Sequence, residues 1–418
     1  MHWFRVIFLL LCAALFCQFC SHGTAPEQTD PGPSPQPART PEEFTDNEKA
    51  SAGSMNEFGL KLFRTLDAEA NLDTNLFISP LSVAVALGMA YNGAEGQTKE
   101  EIAEVLESAG LSLNEFNESY LGIQKILTQL DPDVIMRIAN SIWYRQDLTI
   151  ASDYIANVKD YFNAEIYGVN FMHHATADSI NNWINVNTSG MITKMIDPPI
   201  DPAVITMIIN AIYFKGSWTN PFDTAQTDST IFFKSDGSTV ECDMMAKDSI
   251  LPFYSNDMFT ATYLPYGNEY FNMMILSPEN SVSINDVIDS LTKENWDLWR
   301  SSFTEHRVLL GLPKMRFEYG LDLKDLLIDL GMPTAFSGGA DFSNMFPNVP
   351  MFISRALHKA KIQVDEFGTE AAAVTVLIGE VSMPPQVYCN RPFVFVIYEK
   401  TTGTIIFIGK VAEPVWES

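Results

Sequence analysis

Residue types able to do acid–base, nucleophilic or metal chemistry are sparse in this chain and poorly grouped. Its six histidines are His2, His22, His173, His174, His306 and His358. His173 and His174 are adjacent, so their rings diverge in any regular element, and no cysteine or carboxylate cluster stands beside them to complete a metal site. The sequence holds no G-x-S-x-G, H-E-x-x-H, P-loop or dinucleotide fingerprint. A Ser-His-Asp triad assembles only in space, and no pattern here recommends one. No cofactor and no metal are expected, and the chain does not read as an enzyme. A hydrolase with an unseen triad is the alternative from that class.

A different chemistry is written in the stretch Glu366 to Pro385, E-F-G-T-E-A-A-A-V-T-V-L-I-G-E-V-S-M-P-P. Between Glu366 and Met383 there is no proline, so the segment is free to donate a full ladder of backbone hydrogen bonds. Gly368 supplies unusual backbone angles where the segment must turn. At strand period, Thr369, Ala371, Ala373 and Thr375 share one face, and all are small. A strand with that face could slide between two others over a packed core without overpacking it. An ordinary half-buried strand followed by a Pro-Pro loop has the same alternation, so the surrounding sequence must decide.

The 418 residues are 46% hydrophobic and 19% charged, enough for a substantial core. Fifty-two acids against 26 bases give a net charge of −26, which argues against nucleic acid and anionic membrane surfaces as partners. Residues 1–20 read as an export signal: His2 and Arg5 precede the apolar run Val6 to Phe16, too short to span a bilayer. Cys20, or Cys17, could be a lipidated first residue that tethers the protein to a membrane, with free secretion as the alternative. Residues 21–50, with Pro31-Gly32-Pro33-Ser34-Pro35-Gln36-Pro37, form a disordered tether. Cys242 and Cys389 in the folded part look like buried small apolar residues, though one disulfide is open to them.

From Ser51 a helical pattern carries Phe58, Leu62 and Leu66 on a buried face. Ser79 is placed to cap a buried helix over Val83 to Tyr91, with Pro80 in its first turn. Thr98 to Glu101 reads as a capping box. Strands are expected over Val134 to Tyr144, over Ala203 to Phe214 (buried on both faces), and over Leu309 to Phe317, where Pro313 points to an edge or bulge. Ala177 to Gly190 reads as a helix, and Leu323 to Leu330 as a short one closed by Gly331. Hairpins join Phe259–Leu264 to Phe271–Leu276 and Phe393–Tyr398 to Thr404–Ile408. No inner linker divides the chain, so residues 51–418 make one α+β domain of several sheets sharing helices.

Five separated motifs, in order, resemble the serpin family. Asn75 to Ser82 is similar to its N-x-F-x-S-P-x-S segment, and Asn210 to Trp218 to its N-x-x-x-F-K-G-x-W strand and turn. Leu357-His358-Lys359-Ala360 and Asp365 to Ala373 resemble the strand and hinge before its reactive loop. Asn390-Arg391-Pro392-Phe393 with Ile406 to Val411 resembles its C-terminal signature.

The resemblance implies the serpin fold, with a large central sheet that can open and an exposed reactive-centre loop. A target serine protease cleaves that loop and is held as an acyl-enzyme while residues 368–381 insert as a new strand. The hinge, Glu366, Gly368, Thr369, Glu370, Ala371, Ala372 and Ala373, keeps the inhibitory pattern. Ser79, Ser82, Asn210 and His358 match the polar cluster under the opening sheet, and Trp218 the tryptophan where insertion begins. Counting from the hinge places the cut at Ser382-Met383, and counting back from Pro384-Pro385 places it at Val381-Ser382. A small aliphatic residue before the cut suits an elastase-like pocket. No Arg or Lys lies between Glu366 and Pro385, so trypsin-like targets are disfavoured. Cysteine proteases are a second target class, heparin is not expected to bind, and the chain is expected to be a monomer. The runner-up function is a non-inhibitory serpin-fold binding protein or chaperone.

Overall fold

The computed structural model describes residues 40–108, 110–368 and 384–417. Helix α1 (Asp46–Glu69) begins at Asp46 rather than Ser51 because Thr45 caps it. The Thr45 hydroxyl accepts the Glu48 N–H at 3.2 Å, and the Glu48 carboxylate accepts the Thr45 N–H at 2.7 Å. Phe44, just ahead of it, is buried. Residues 40–50 therefore belong to the folded body, and the domain boundary expected at residue 51 moves N-terminal of them.

Helix α2 (Pro80–Gly93) is buried almost all round, with Ser79 as its cap. It lies so close to α1 that a Cβ on Gly59 would stand 2.4 Å from the Pro80 Cβ. Helix α3 (Gly96–Val105) starts ahead of the expected capping box, which does not form. Thr98 instead accepts the Asp341 N–H, and Glu101 accepts from Thr334, so both side chains serve a neighbouring loop. Helices α4 (Leu113–Gln129), α5 (Ser152–Phe162) and α6 (His174–Asn187) follow, the last over the helical stretch expected at Ala177 to Gly190.

The strands are β1 (Leu76–Ile78), β2 (Val134–Arg145), β3 (Ala164–Val169), β4 (Thr206–Gly216), β5 (Thr227–Phe233), β6 (Thr239–Ser255) and β7 (Phe259–Tyr266). After them come β8 (Phe271–Pro278), β9 (Thr304–Pro313), β10 (Met315–Asp322), β11 (Leu357–Val364), β12 (Gln386–Tyr388), β13 (Phe393–Glu399) and β14 (Ile405–Val411). The largest sheet runs β1-β14-β13-β8-β7-β6-β9-β12, with β5 on β6. Its centre, β8, β13 and β14, is buried throughout, as expected of strands covered on both faces. Pro313 ends β9 rather than bulging a longer strand, and past Lys314 the chain enters another sheet as β10.

The remaining strands form two pieces, β3-β2-β4 and β10-β11. Phe77 of β1 ties the pieces together, stacking on Phe407 at 5.0 Å and meeting Phe317 of β10 edge-on at 6.2 Å. Phe214 of β4 likewise meets Phe271 of β8 at 5.7 Å. A second core of Trp143, Ile180, Trp183, Ile184 and Ile209 packs α6 on the outer face of β3-β2-β4. Strand β4, expected to be buried on both faces, is only half-buried along most of its length. It is the terminal strand of its piece, and no ladder joins it to β11 among the described residues. A cavity of about 350 Å³ lies there, lined by Ser82, Ile196, Asn210, Leu327, Met351 and His358.

Candidate functional site

The four polar residues singled out from the sequence converge under the gap between β4 and β11, and the start of α2 organises them. The Ser79 N–H donates to His358 Nε2 on β11 at 3.2 Å, and the Ser79 hydroxyl donates to the Ile406 carbonyl of β14 at 2.7 Å. That same hydroxyl accepts the Ser82 N–H at 3.2 Å. The Ser82 hydroxyl donates to Asn210 Oδ1 on β4. Asn210 in turn donates to Asn140 Oδ1 on β2 at 2.6 Å, and Asn140 to the Phe162 carbonyl at 2.6 Å. His358 and Asn210 are thus held to Ser79 and Ser82, three residues apart at one helix start, and no direct hydrogen bond between the two spans the gap. The two strands are joined by this network through the start of α2, so parting them breaks one side-chain hydrogen bond, Ser79–His358 or Ser82–Asn210, rather than a backbone ladder, which keeps the cost of separation low.

His358 is 5% exposed and accepts a backbone N–H, so its ring must be neutral at Nε2. Burial pushes its pKa down to about 4.

At the other end of the gap sit Trp218, Glu366 and Gly368. The Trp218 N–H donates to the Phe367 carbonyl at 3.1 Å, its indole to the Asp365 carbonyl at 2.9 Å, and the Phe222 N–H to the Glu366 carbonyl at 2.8 Å. The indole stacks on Tyr266 at 4.4 Å. Gly368 has φ +71°, and a Cβ there would stand 2.3 Å from the Trp218 nitrogen. No other residue type fits this turn without moving it.

Glu366 points inward from the chain between β11 and Gly368, its side chain 7% exposed. Lys314 approaches it at 2.9 Å and the Thr227 hydroxyl at 2.9 Å. Burial alone would raise its pKa; hydrogen bonds from Lys314, its own backbone and Thr227 outweigh that and hold the carboxyl below its usual range. Glu366→Gln keeps the shape and loses the charge, and is expected to destabilise the fold by about 2 kcal/mol, as loss of a charge-assisted hydrogen bond does. Urea unfolding at neutral pH measures it, and an unchanged midpoint would show that the ion pair contributes nothing.

Thr369, Glu370, Ala371, Ala372 and Ala373 of the hinge lie outside the described residues, as do Val381, Ser382, Met383, Cys17 and Cys20. Both flanks of 369–383 are anchored: Gly368 at Trp218, and Pro385 by its carbonyl to the Leu309 N–H at 3.0 Å where β12 joins β9. Cys242 and Cys389 are free and buried, and burial pushes the Cys242 thiol up to about 11. Sequence reading missed Asn140, Lys314, Thr227 and Tyr266. Asn140 had a signal, a polar residue inside the apolar strand 134–145; the other three had none, since their role comes from long-range packing.

Three sheets sharing helices, two of them set apart by a gap over a buried polar cluster, define an α+β protein of a specific architecture. The chain belongs to the serpin family: the family model described as Serpin (serine protease inhibitor) matches residues 53–414. Serpins are in general protease inhibitors rather than enzymes. Human neuroserpin is 32% identical over 376 residues, covering 86% of this chain and 91% of neuroserpin. Among solved structures, the native state of the thermophilic serpin tengpin superposes with a TM-score of 0.78 at 30% identity, over 87% of this chain and 94% of that one. Human thyroxine-binding globulin, solved in complex with thyroxine, gives 0.79 at 26% identity, over 88% and 100%.

Proposed function

We propose that this serpin is a suicide inhibitor of serine endopeptidases of elastase-like preference. The observation that carries the reading is the unladdered gap between β4 and β11, above a polar cluster that joins its two sides by single side-chain hydrogen bonds to the start of α2, and below a glycine turn. A segment starting at Gly368 can complete both open edges with backbone hydrogen bonds, and the small face of Thr369, Ala371, Ala373 and Thr375 fits over the core beneath. The uninserted state is then kinetically trapped, and cleavage of the loop releases it.

Ser79, Ser82, Asn210 and His358 let the sheet part, Trp218 marks where insertion starts, and Glu366 and Gly368 hold the hinge. Cleavage falls at Val381-Ser382 or Ser382-Met383. The aliphatic Val381 suits an elastase-like pocket, and the lack of Arg or Lys between Glu366 and Pro385 disfavours trypsin-like enzymes. We also propose export through residues 1–20, a tether reaching from residue 21 towards the folded body, and a lipid on Cys20 or Cys17. Recovering the protein from the medium with no lipid on its N-terminus would defeat the anchor.

Incubation with a neutrophil-type elastase is expected to give a denaturant-stable complex and a released C-terminal peptide starting at Ser382 or Met383. The rest of the chain should gain thermal stability. If no serine or cysteine protease formed a complex, and cleavage left thermal stability unchanged, the inhibitor reading would fall to that of a non-inhibitory binding protein.

A further inference from the structure

The chain does not stop where the large sheet does. Strand β14 ends at Val411, and Asn75 then grips the backbone that follows: its Oδ1 accepts the Ala412 and Glu413 N–H groups at 2.7 and 2.9 Å, and its Nδ2 donates to the Glu413 carbonyl at 2.7 Å. Lys234 pairs with the Glu413 carboxylate at 2.8 Å. From this fixed root the tail crosses to β10. The Arg316 N–H donates to the Val415 carbonyl at 2.7 Å, and the Glu417 N–H to the Arg316 carbonyl at 2.9 Å, a parallel pairing centred on Trp416. The Glu417 carboxylate accepts the next outward-facing N–H, that of Glu318, at 3.1 Å. The tail therefore covers the edge of β10 opposite β11.

Trp416 is 48% exposed, so its ring contributes little to the core. It stands over Lys314, whose ammonium lies 5.3 Å from the ring centroid. That ammonium is the counter-ion of Glu366 at the hinge. Cys242, Asp243, Lys314, Pro414 and Trp416 together line a small polar cavity beside the ion pair. A half-exposed tryptophan held by a doubly anchored tail against the cation that pairs with Glu366 needs a reason, and core packing does not supply it.

We infer that Trp416 is a positioning residue: it steers the Lys314 ammonium onto Glu366 and so sets how readily the hinge lets go of Trp218 and Phe222. A cation over an indole face is confined to one side of the ring, and here the confined ammonium also reaches Glu366 at 2.9 Å. The consequence for inhibition rests on the proposed function, since a looser hinge changes how fast the following segment enters the gap; the contact itself does not.

Amide hydrogen exchange on the full chain tests it. The Trp218 and Phe222 amides report the hinge, and the Arg316 and Glu417 amides report the tail. In Trp416→Ala the hinge amides are expected to exchange about two- to five-fold faster, the factor a partly exposed cation–π contact carries, while the tail amides hold. Trp416→Phe, which keeps a ring face, should return towards wild type. Unchanged hinge amides in Trp416→Ala would overturn the inference, and so would acceleration of tail and hinge amides together, because the ring would then only be pinning the tail. With elastase, Trp416→Ala is expected to alter the ratio of cleaved to complexed inhibitor by a similar factor. If the wild type formed no complex while the exchange pattern held, the inhibitor reading would fail and the positioning role would stand.

Discussion

Gly368→Ala is expected to destabilise the native protein by about 3–4 kcal/mol and to speed its conversion to a heat-stable form without inhibitory activity. At φ +71° an alanine carries left-handed strain, roughly 1–2 kcal/mol. Its Cβ would also stand 2.3 Å from the Trp218 nitrogen and 2.9 Å from the Gly216 carbonyl oxygen, both backbone atoms that cannot rotate aside. The turn must therefore shift, and the hydrogen bonds from Trp218 to Phe367 and from Phe222 to Glu366 go with it, at about 1 kcal/mol each. In an inserted strand the same residue would be extended, where alanine is unstrained. The substitution thus raises the energy of one state and leaves the other untouched. Urea midpoints give the first effect, and the time course of heat resistance gives the second. A variant as stable as wild type, with unchanged exchange at the Trp218 amide, would mean that the turn is not what restrains the hinge.

How much of this was legible in the sequence depended on the range of the interaction concerned. Hairpins such as Phe393–Tyr398 with Thr404–Ile408, and the Ser79 cap, are local patterns and appear as expected. Thr98 to Glu101 shows the opposite: it fits a capping box, yet Asp341 and Thr334, far along the chain, claim the same side chains. The Leu309–Phe317 run reads as one strand because both halves are apolar. That its halves lie in different sheets is decided by what each packs against, Phe77 reaching Phe317 while β6 pairs β9. At the site, Ser79, Ser82, Asn210 and His358 were reached through motif resemblance and meet in space. Lys314 and Trp416 carry no motif, and only the fold brings them to Glu366.

Acidification offers the sharpest test of the polar cluster. The folded pKa of His358, about 4, lies below its ordinary value of 6.5 because burial disfavours the charged ring. Between those values the unfolded chain binds the proton and the folded chain does not, so stability rises with pH across that window. The contribution is complete above pH 6.5 and is lost as the pH falls to 4, amounting to about 3 kcal/mol. Glu366, with its pKa depressed, acts in the same direction at lower pH, its contribution lost as the solution acidifies through its folded value. The two separate on substitution: His358→Gln keeps a side-chain acceptor for the Ser79 N–H and cannot titrate. Subtracting its urea midpoints from those of the wild type isolates the histidine, and the difference is expected to change between pH 6.5 and 4 and to be flat above. Protonation also sets a positive charge against the Ser79 N–H and detaches β11 from the start of α2, so acid should widen the gap as well as weaken the fold. Faster exchange at the Ser79 amide at pH 5 than the pH change alone produces would reveal that opening. Superimposable pH profiles for the two proteins would show that His358 is not the group that senses acid.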